Sequence, residues 1–204
     1  NNTAVGFNAL EVNTTGTDNV AVGANALDAN ETGNRNTATG KDALGVNTGS
    51  ENTAFGARSL DANTSGGTNT AVGLDALGSN TTASNNTAVG ADALKVNTTG
   101  TSNVAIGAFA VDANTTASNI TGVGMNALSS NTTGESNNAL GSHALQTNTT
   151  GTRNNAFGVS ALQLNTTGSD NCAFGQLALQ QNTTGEANVA VGAEALDANT
   201  TGLR

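Results

Sequence analysis

The sequence predicts a parallel β-solenoid, an all-β rod of stacked coils rather than a globule. Three observations predict it. One short unit recurs twelve times, the apolar residues within it are mostly small, and its turn residues fall at fixed places. A fixed period of this kind is the signature of a repeat architecture in which each unit buries its apolar face only against its neighbours.

The units start at residues 2, 19, 36, 52, 69, 86, 103, 120, 137, 154, 171 and 188. All are 17 residues long except the 16-residue unit at 36–51. The consensus is N-T-A-V-G-x-x-A-L-x-x-N-T-T-G-x-x, numbered below as positions 1 to 17. Gly at position 5 and Asn at position 12 occur in all twelve units. Ala at position 3, Ala at position 8 and Leu at position 9 each occur in eleven, with Gly122, Ser59 and Val111 as the exceptions. The whole chain, 1–204, thus reads as one repeat domain. It begins and ends in repeat phase, as a segment of a longer fibre would.

A unit this short cannot hold a helical hairpin, and its β-branched N-T-A-V-G run reads as a strand over positions 1–5. A bend follows at 6–7, a second short strand at 8–11, and a turn at 12–17 punctuated by Asn and Gly. Coils stacked about 4.8 Å apart make a rod roughly 55–60 Å long. Strand alternation, with the larger apolar residues placed inside, puts positions 2, 4 and 9 in the core. Cys172, at position 2, then reads as a core filler. Positions 1, 3 and 5 face out, and the resulting column of Ala forms a flat, small-residue face that suits burial against another chain.

The Asn column comprises Asn13, Asn30, Asn47, Asn63, Asn80, Asn97, Asn114, Asn131, Asn148, Asn165, Asn182 and Asn199. Asn suits turns because it tolerates left-handed geometry and its amide bonds the backbone. Stacked in every coil, its amides can also bond one another as a ladder. Gly at position 15 is expected to supply a positive φ there. The short unit loses its residue in this turn, at Asn47-Thr48-Gly49-Ser50-Glu51. Charged residues, Glu31 apart, are confined to positions 6, 7, 10, 16 and 17, the expected solvent-facing corners.

At Asn19–Gly23, Asn103–Gly107 and Asn188–Gly192 the motif N-V-A-V/I-G resembles the head repeats of trimeric autotransporter adhesins, which carry an S-V-A-I-G core. The longer N-T-A-V-G-x-x-A-L-x-x-N-T-T-G form is similar to repeats in bacteriophage tail fibres. The chain departs from the adhesin unit in length and in its preference for Thr at position 2. The resemblance implies a left-handed β-roll in which three chains lie side by side, in an extracellular, cell-surface or virion setting.

Nothing in the sequence supports catalysis, which requires convergent acid, base and nucleophile groups. His143 is the only His, at corner position 7, and Cys172 is the only Cys. No cofactor or metal is expected. The acidic residues at position 10 (Glu11, Asp28, Asp61, Asp112 and Asp197) lack the tight Gly-Asp spacing of a calcium solenoid. With a net charge of −9 the chain should not attract nucleic acid, and no stretch has the roughly 18 apolar residues of a membrane span. The expected function is a structural fibre, a rigid shaft or head whose partner is itself, as a trimer or an end-to-end filament.

Two alternatives remain open. An adhesin module contacting a host glycan or protein would show non-consensus residues on neighbouring coils, and Phe109, Ile120 and Met125 come closest. An ice-binding solenoid needs a flat double column of Thr facing water, whereas here position 13 lies in a turn and position 2 reads as inward. Asn-x-Thr/Ser at position 12 also forms glycosylation sequons in eleven units.

Overall fold

The computed structural model describes residues 1–202. It is an all-β parallel solenoid of about eleven turns, with no helix among the described residues. Each unit contributes one three-residue strand: β1 Thr3–Val5, β2 Val20–Val22, β3 Thr37–Thr39, β4 Thr53–Phe55, β5 Thr70–Val72, β6 Thr87–Val89, β7 Val104–Ile106, β8 Thr121–Val123, β9 Asn138–Leu140, β10 Asn155–Phe157, β11 Cys172–Phe174 and β12 Val189–Val191. They form one twelve-stranded sheet in sequence order. Each strand is parallel to the next and in register, with Val20 beside Thr37 and Ala21 beside Ala38. The shortened unit keeps this register, with Thr37 beside Thr53.

The second expected strand is absent. Positions 6–11 form turns in every coil. The reason lies in the backbone: position 7 is left-handed, as at Asn25 with φ 56°, and so is position 9, as at Leu27 with φ 52°. Pleated strands cannot accommodate that alternation. The turn-rich arm is nevertheless bonded from coil to coil as a strand would be. The Asn25 N–H donates to the Phe7 carbonyl at 2.9 Å and the Leu27 N–H to the Ala43 carbonyl at 3.1 Å. A left-handed Leu costs roughly 1–2 kcal/mol, and here its side chain is fully buried in return.

The expected inside and outside of the strand are exchanged. Ala at position 3 is buried from Ala21 to Ala190, and position 1 Asn is buried from Asn19 to Asn188. Positions 2 and 4 are exposed or half-exposed in all twelve coils. Cys172 accordingly lies on the outer face and is not a core filler. The core is a thin stripe in which Ala at positions 3 and 8 interleaves with Leu at position 9. Leu at position 9, replaced by Val111 in one coil, fills the space between the arms, and the position 2 and 4 side chains point out.

Two glycine columns have different reasons from those expected. Gly at position 5 carries the positive φ, 136° at Gly23, and a Cβ there would lie 2.5 Å from the Gly40 carbonyl oxygen. Gly at position 15 is not left-handed; the turn closes tightly on the Asn amides, with Asn63 Oδ1 2.5 Å from a Cβ at Gly66, and Ala83 and Ala117 are the largest residues found there. Nor are the position 12 Asn residues left-handed, so their amide chemistry, rather than their backbone, accounts for them.

Candidate functional surface

Two columns of buried amides hold the coils together. At position 12, from Asn30 to Asn182, each Asn donates through Nδ2 to the position 15 carbonyl of its own coil and to Oδ1 of the Asn one coil earlier. Asn97 bonds the Gly100 carbonyl at 2.9 Å and Asn80 Oδ1 at 3.0 Å. Its own Oδ1 accepts Asn114 Nδ2 at 2.8 Å. At position 1 the division of labour differs. Asn86 Oδ1 accepts the backbone N–H of Asn103 at 2.9 Å, and Asn86 Nδ2 donates to the Gly100 carbonyl at 2.9 Å. Both amide ends are satisfied, which is what burial of a polar side chain demands. Ile120 interrupts the position 1 column: its N–H still donates to Asn103 Oδ1 at 3.0 Å, but it offers no amide to the next coil. Strand alternation places position 1 outside together with position 3, and both lie inside; the near-invariance of position 1 is the sequence signal for it.

These amides are scaffold and not points of attachment. The position 12 side chains from Asn30 to Asn182 are buried and their nitrogens are engaged within the rod, so the sequons at those positions are closed to glycosylation in the folded chain, while Asn13 and Asn199 at the ends are half-exposed.

Three surfaces face outward. The first is the strand face, on which position 4 is apolar in eleven coils. Phe55 is 58% exposed and Leu140 48%. Leu74 and Val159 at position 6 and Val20 at position 2 extend it sideways. Phe157 and Phe174 stack in adjacent coils, with ring centroids 4.8 Å apart and planes 5° apart, so the apolar column repeats at the coil spacing. It carries no charge at positions 2 or 4.

The second surface is the charged corner at positions 7 and 10. Arg58 grips Asp75 in the next coil with two bonds, at 2.6 and 2.8 Å, which holds the Asp75 carboxyl below its ordinary value and raises the guanidinium. The Lys41 and Asn25 side chains do the same for Asp42. Asp61 and Asp112 shift the other way. Burial is the main cause in both, assisted by the charges of Asp42 and Asp92 respectively. Asp112 Oδ1 is buried without a hydrogen-bond partner.

The third surface is the Asn-Thr-Thr turn. The position 13 hydroxyl donates to the position 13 carbonyl of the next coil, as from Thr98 to Thr115 at 3.0 Å and from Thr149 to Thr166 at 3.0 Å. The position 14 side chains beside them are exposed.

Of the residues singled out for ligand contact, Phe109 and Met125 are exposed on neighbouring coils, at positions 7 and 6. Ile120 is buried and cannot join them. His143 is half-buried at its corner, where Nδ1 pairs with the Ser142 hydroxyl at 2.8 Å. Among the described residues there is no pocket and no group of three or more His, Cys, Asp or Glu side chains arranged to hold a metal. Compared with protein-family models, with curated proteins and with solved structures, the chain shows no match.

Proposed function

We propose that the chain is a non-catalytic structural rod, the shaft or head of an extracellular or virion-borne fibre, that assembles side by side with copies of itself. Stiffness follows from the architecture: every coil is tied to the next by backbone bonds and by two amide columns. The observation that carries the assembly is the apolar position 4 column, which runs the full length of the strand face. It takes the place of the Ala column, which lies inside. Monomeric soluble proteins rarely leave a continuous apolar patch of this extent open to water.

A second copy suits this face better than an unrelated protein does, because its columns share the same axial repeat. The strip measures roughly 50 Å by 13 Å, on the order of 700 Å² per copy, near the ~800 Å² per partner of a standard specific interface. Three left-handed coils abreast is the arrangement implied by the resemblance to adhesin heads.

Light scattering tests the assembly. The chain should run as a trimer, and Ile106→Lys with Phe55→Lys, both on the outer face, should give a folded monomer. Cys172 reports the same event, reacting slowly with a thiol reagent in the assembled protein and fast in the double variant. A wild-type chain that stays monomeric and folded overturns the assembly.

A further inference from the structure

The turn face carries a more regular array than the strand face does. From Thr81–Thr82 to Thr200–Thr201, eight consecutive coils have Thr at both position 13 and position 14. The array begins only after coils that break it, where Glu31 stands at position 13, the short unit lacks a residue, and Ser65 stands at position 14. Its hydroxyls are held in a fixed arrangement. Each position 13 Oγ1 from Thr81 to Thr183 donates to the carbonyl of the next coil at 3.0–3.2 Å. That holds the hydroxyl in the same place in each coil, on residues that are half-exposed from Thr81 to Thr183. The position 14 hydroxyls are exposed and make no hydrogen bond within the described chain. Although this segment is a turn and not a strand, the repeated bond makes it as regular as the sheet.

We propose that this double Thr column is an ice-binding surface, taking the ordered water of an ice-crystal face as its ligand. The two columns present Thr side chains at the coil spacing of about 4.8 Å over roughly 34 Å. That spacing lies close to the oxygen repeat along one axis of hexagonal ice. Many weak contacts made together by one surface add up at reduced cost, because the position 13 side chains are already held by their hydroxyl bonds. A soluble ligand is a poorer fit: small molecules take concave sites with convergent polar groups, and no pocket exists among the described residues. The array itself is uncharged, and the acidic residues following it at positions 16 and 17 of the turn from coil 5 onward are Glu135, Asp170 and Glu186. The proposed assembly uses the strand face and shares no residue with this one, so either can fail without the other.

Thermal hysteresis and partitioning into slowly growing ice test the proposal on the whole chain. The wild type should depress the freezing point below the melting point and concentrate in the ice. Thr116→Lys with Thr150→Lys, both exposed at position 14, should abolish both effects while the circular dichroism and melting temperature stay unchanged. Thr53→Lys with Thr87→Lys, on the strand face, should leave the activity in place. A wild type with no hysteresis and no ice partitioning overturns the proposal. So does activity that survives the turn-face pair but is lost with the strand-face pair.

Discussion

The Cγ2 atom of Val111 occupies the space that a side chain on Gly122 would need, lying 2.5 Å from the position of a Cβ there. Val111 is the one coil position 9 without Leu, and Gly122 is the one position 3 without Ala. They belong to consecutive coils and face each other across the core. A β-branched side chain in left-handed backbone, φ 54° at Val111, directs a methyl group sideways, and the missing methyl opposite makes room for it. The two departures from consensus are therefore one packing event.

Gly122→Ala should accordingly destabilise the chain by about 1–3 kcal/mol through overpacking. Combined with Val111→Leu, which restores the Leu–Ala pairing of the other coils, the loss should shrink, with a coupling of roughly 0.5–3 kcal/mol. Denaturation of the four species of this cycle measures it. Strict additivity would show that the two residues do not share the space.

The amide columns and the Thr column should respond very differently to truncation. Asn97→Ala removes a group that makes three buried bonds and leaves partners unpaired, a loss of about 1–3 kcal/mol. Thr99→Ala, exposed two residues later, should stay within about 0.5 kcal/mol. Hydrogen exchange resolved by coil is the appropriate measurement, because repeat arrays need not unfold in one step. Equal effects at the two positions would contradict the burial of the amide.

The exchange of inside and outside has its own test. Ala88→Leu places a large side chain in the fully buried column and should cost at least the 1–3 kcal/mol typical of overpacking. Val89→Lys, its neighbour on the outer face, should leave the fold intact. Melting temperatures of the two single variants decide it, and the reverse ranking would restore the alternative phase.

Asp112 should make the rod less stable at neutral pH than in mild acid. Burial raises its carboxyl, with the Asp92 charge adding to the effect. An acid whose folded value lies above its unfolded value of roughly 3.9 is favoured by the fold when protonated. Its contribution is intact below about pH 4 and lost as the pH rises through the raised value. Asp112→Asn should therefore raise the melting temperature at pH 7 and change little at pH 3. The Arg58–Asp75 pair runs the other way: the lowered Asp75 carboxyl supports the fold above its unfolded value and loses that role as the pH falls through the lowered one. A gain from Asp112→Asn of equal size at both pH values would count against the buried charge.

The period, the all-β class, the buried Leu column and the fixed Asn and Gly positions were legible in the sequence, because each recurs at one offset in nearly every unit. The phase of the strand was not. Alternation alone permits two solutions one residue apart, and ranking residues by hydrophobicity put Val104 and Ile106 inside. Invariance would have decided correctly: Ala at position 3 hardly varies, whereas position 4 holds Val, Ile, Leu, Phe or Thr. A site that tolerates both Thr39 and Phe55 is not a tight core. The missing second strand had no such signal, since a left-handed Leu looks the same in sequence as an extended one. The Thr array is visible as letters, but its regularity depends on the repeated hydroxyl bond, which only the folded chain forms.

Nearly all the side-chain bonds between coils join residues 17 apart in sequence, or 16 across the shortened unit. The loop that must close to add a coil is therefore the same length at the twelfth coil as at the second. Closure entropy depends on that local length, and folding speed follows the sequence separation of contacts. A rod of this kind can be lengthened by duplicating its unit without slowing its assembly, each newly synthesised coil zipping onto the one made just before it.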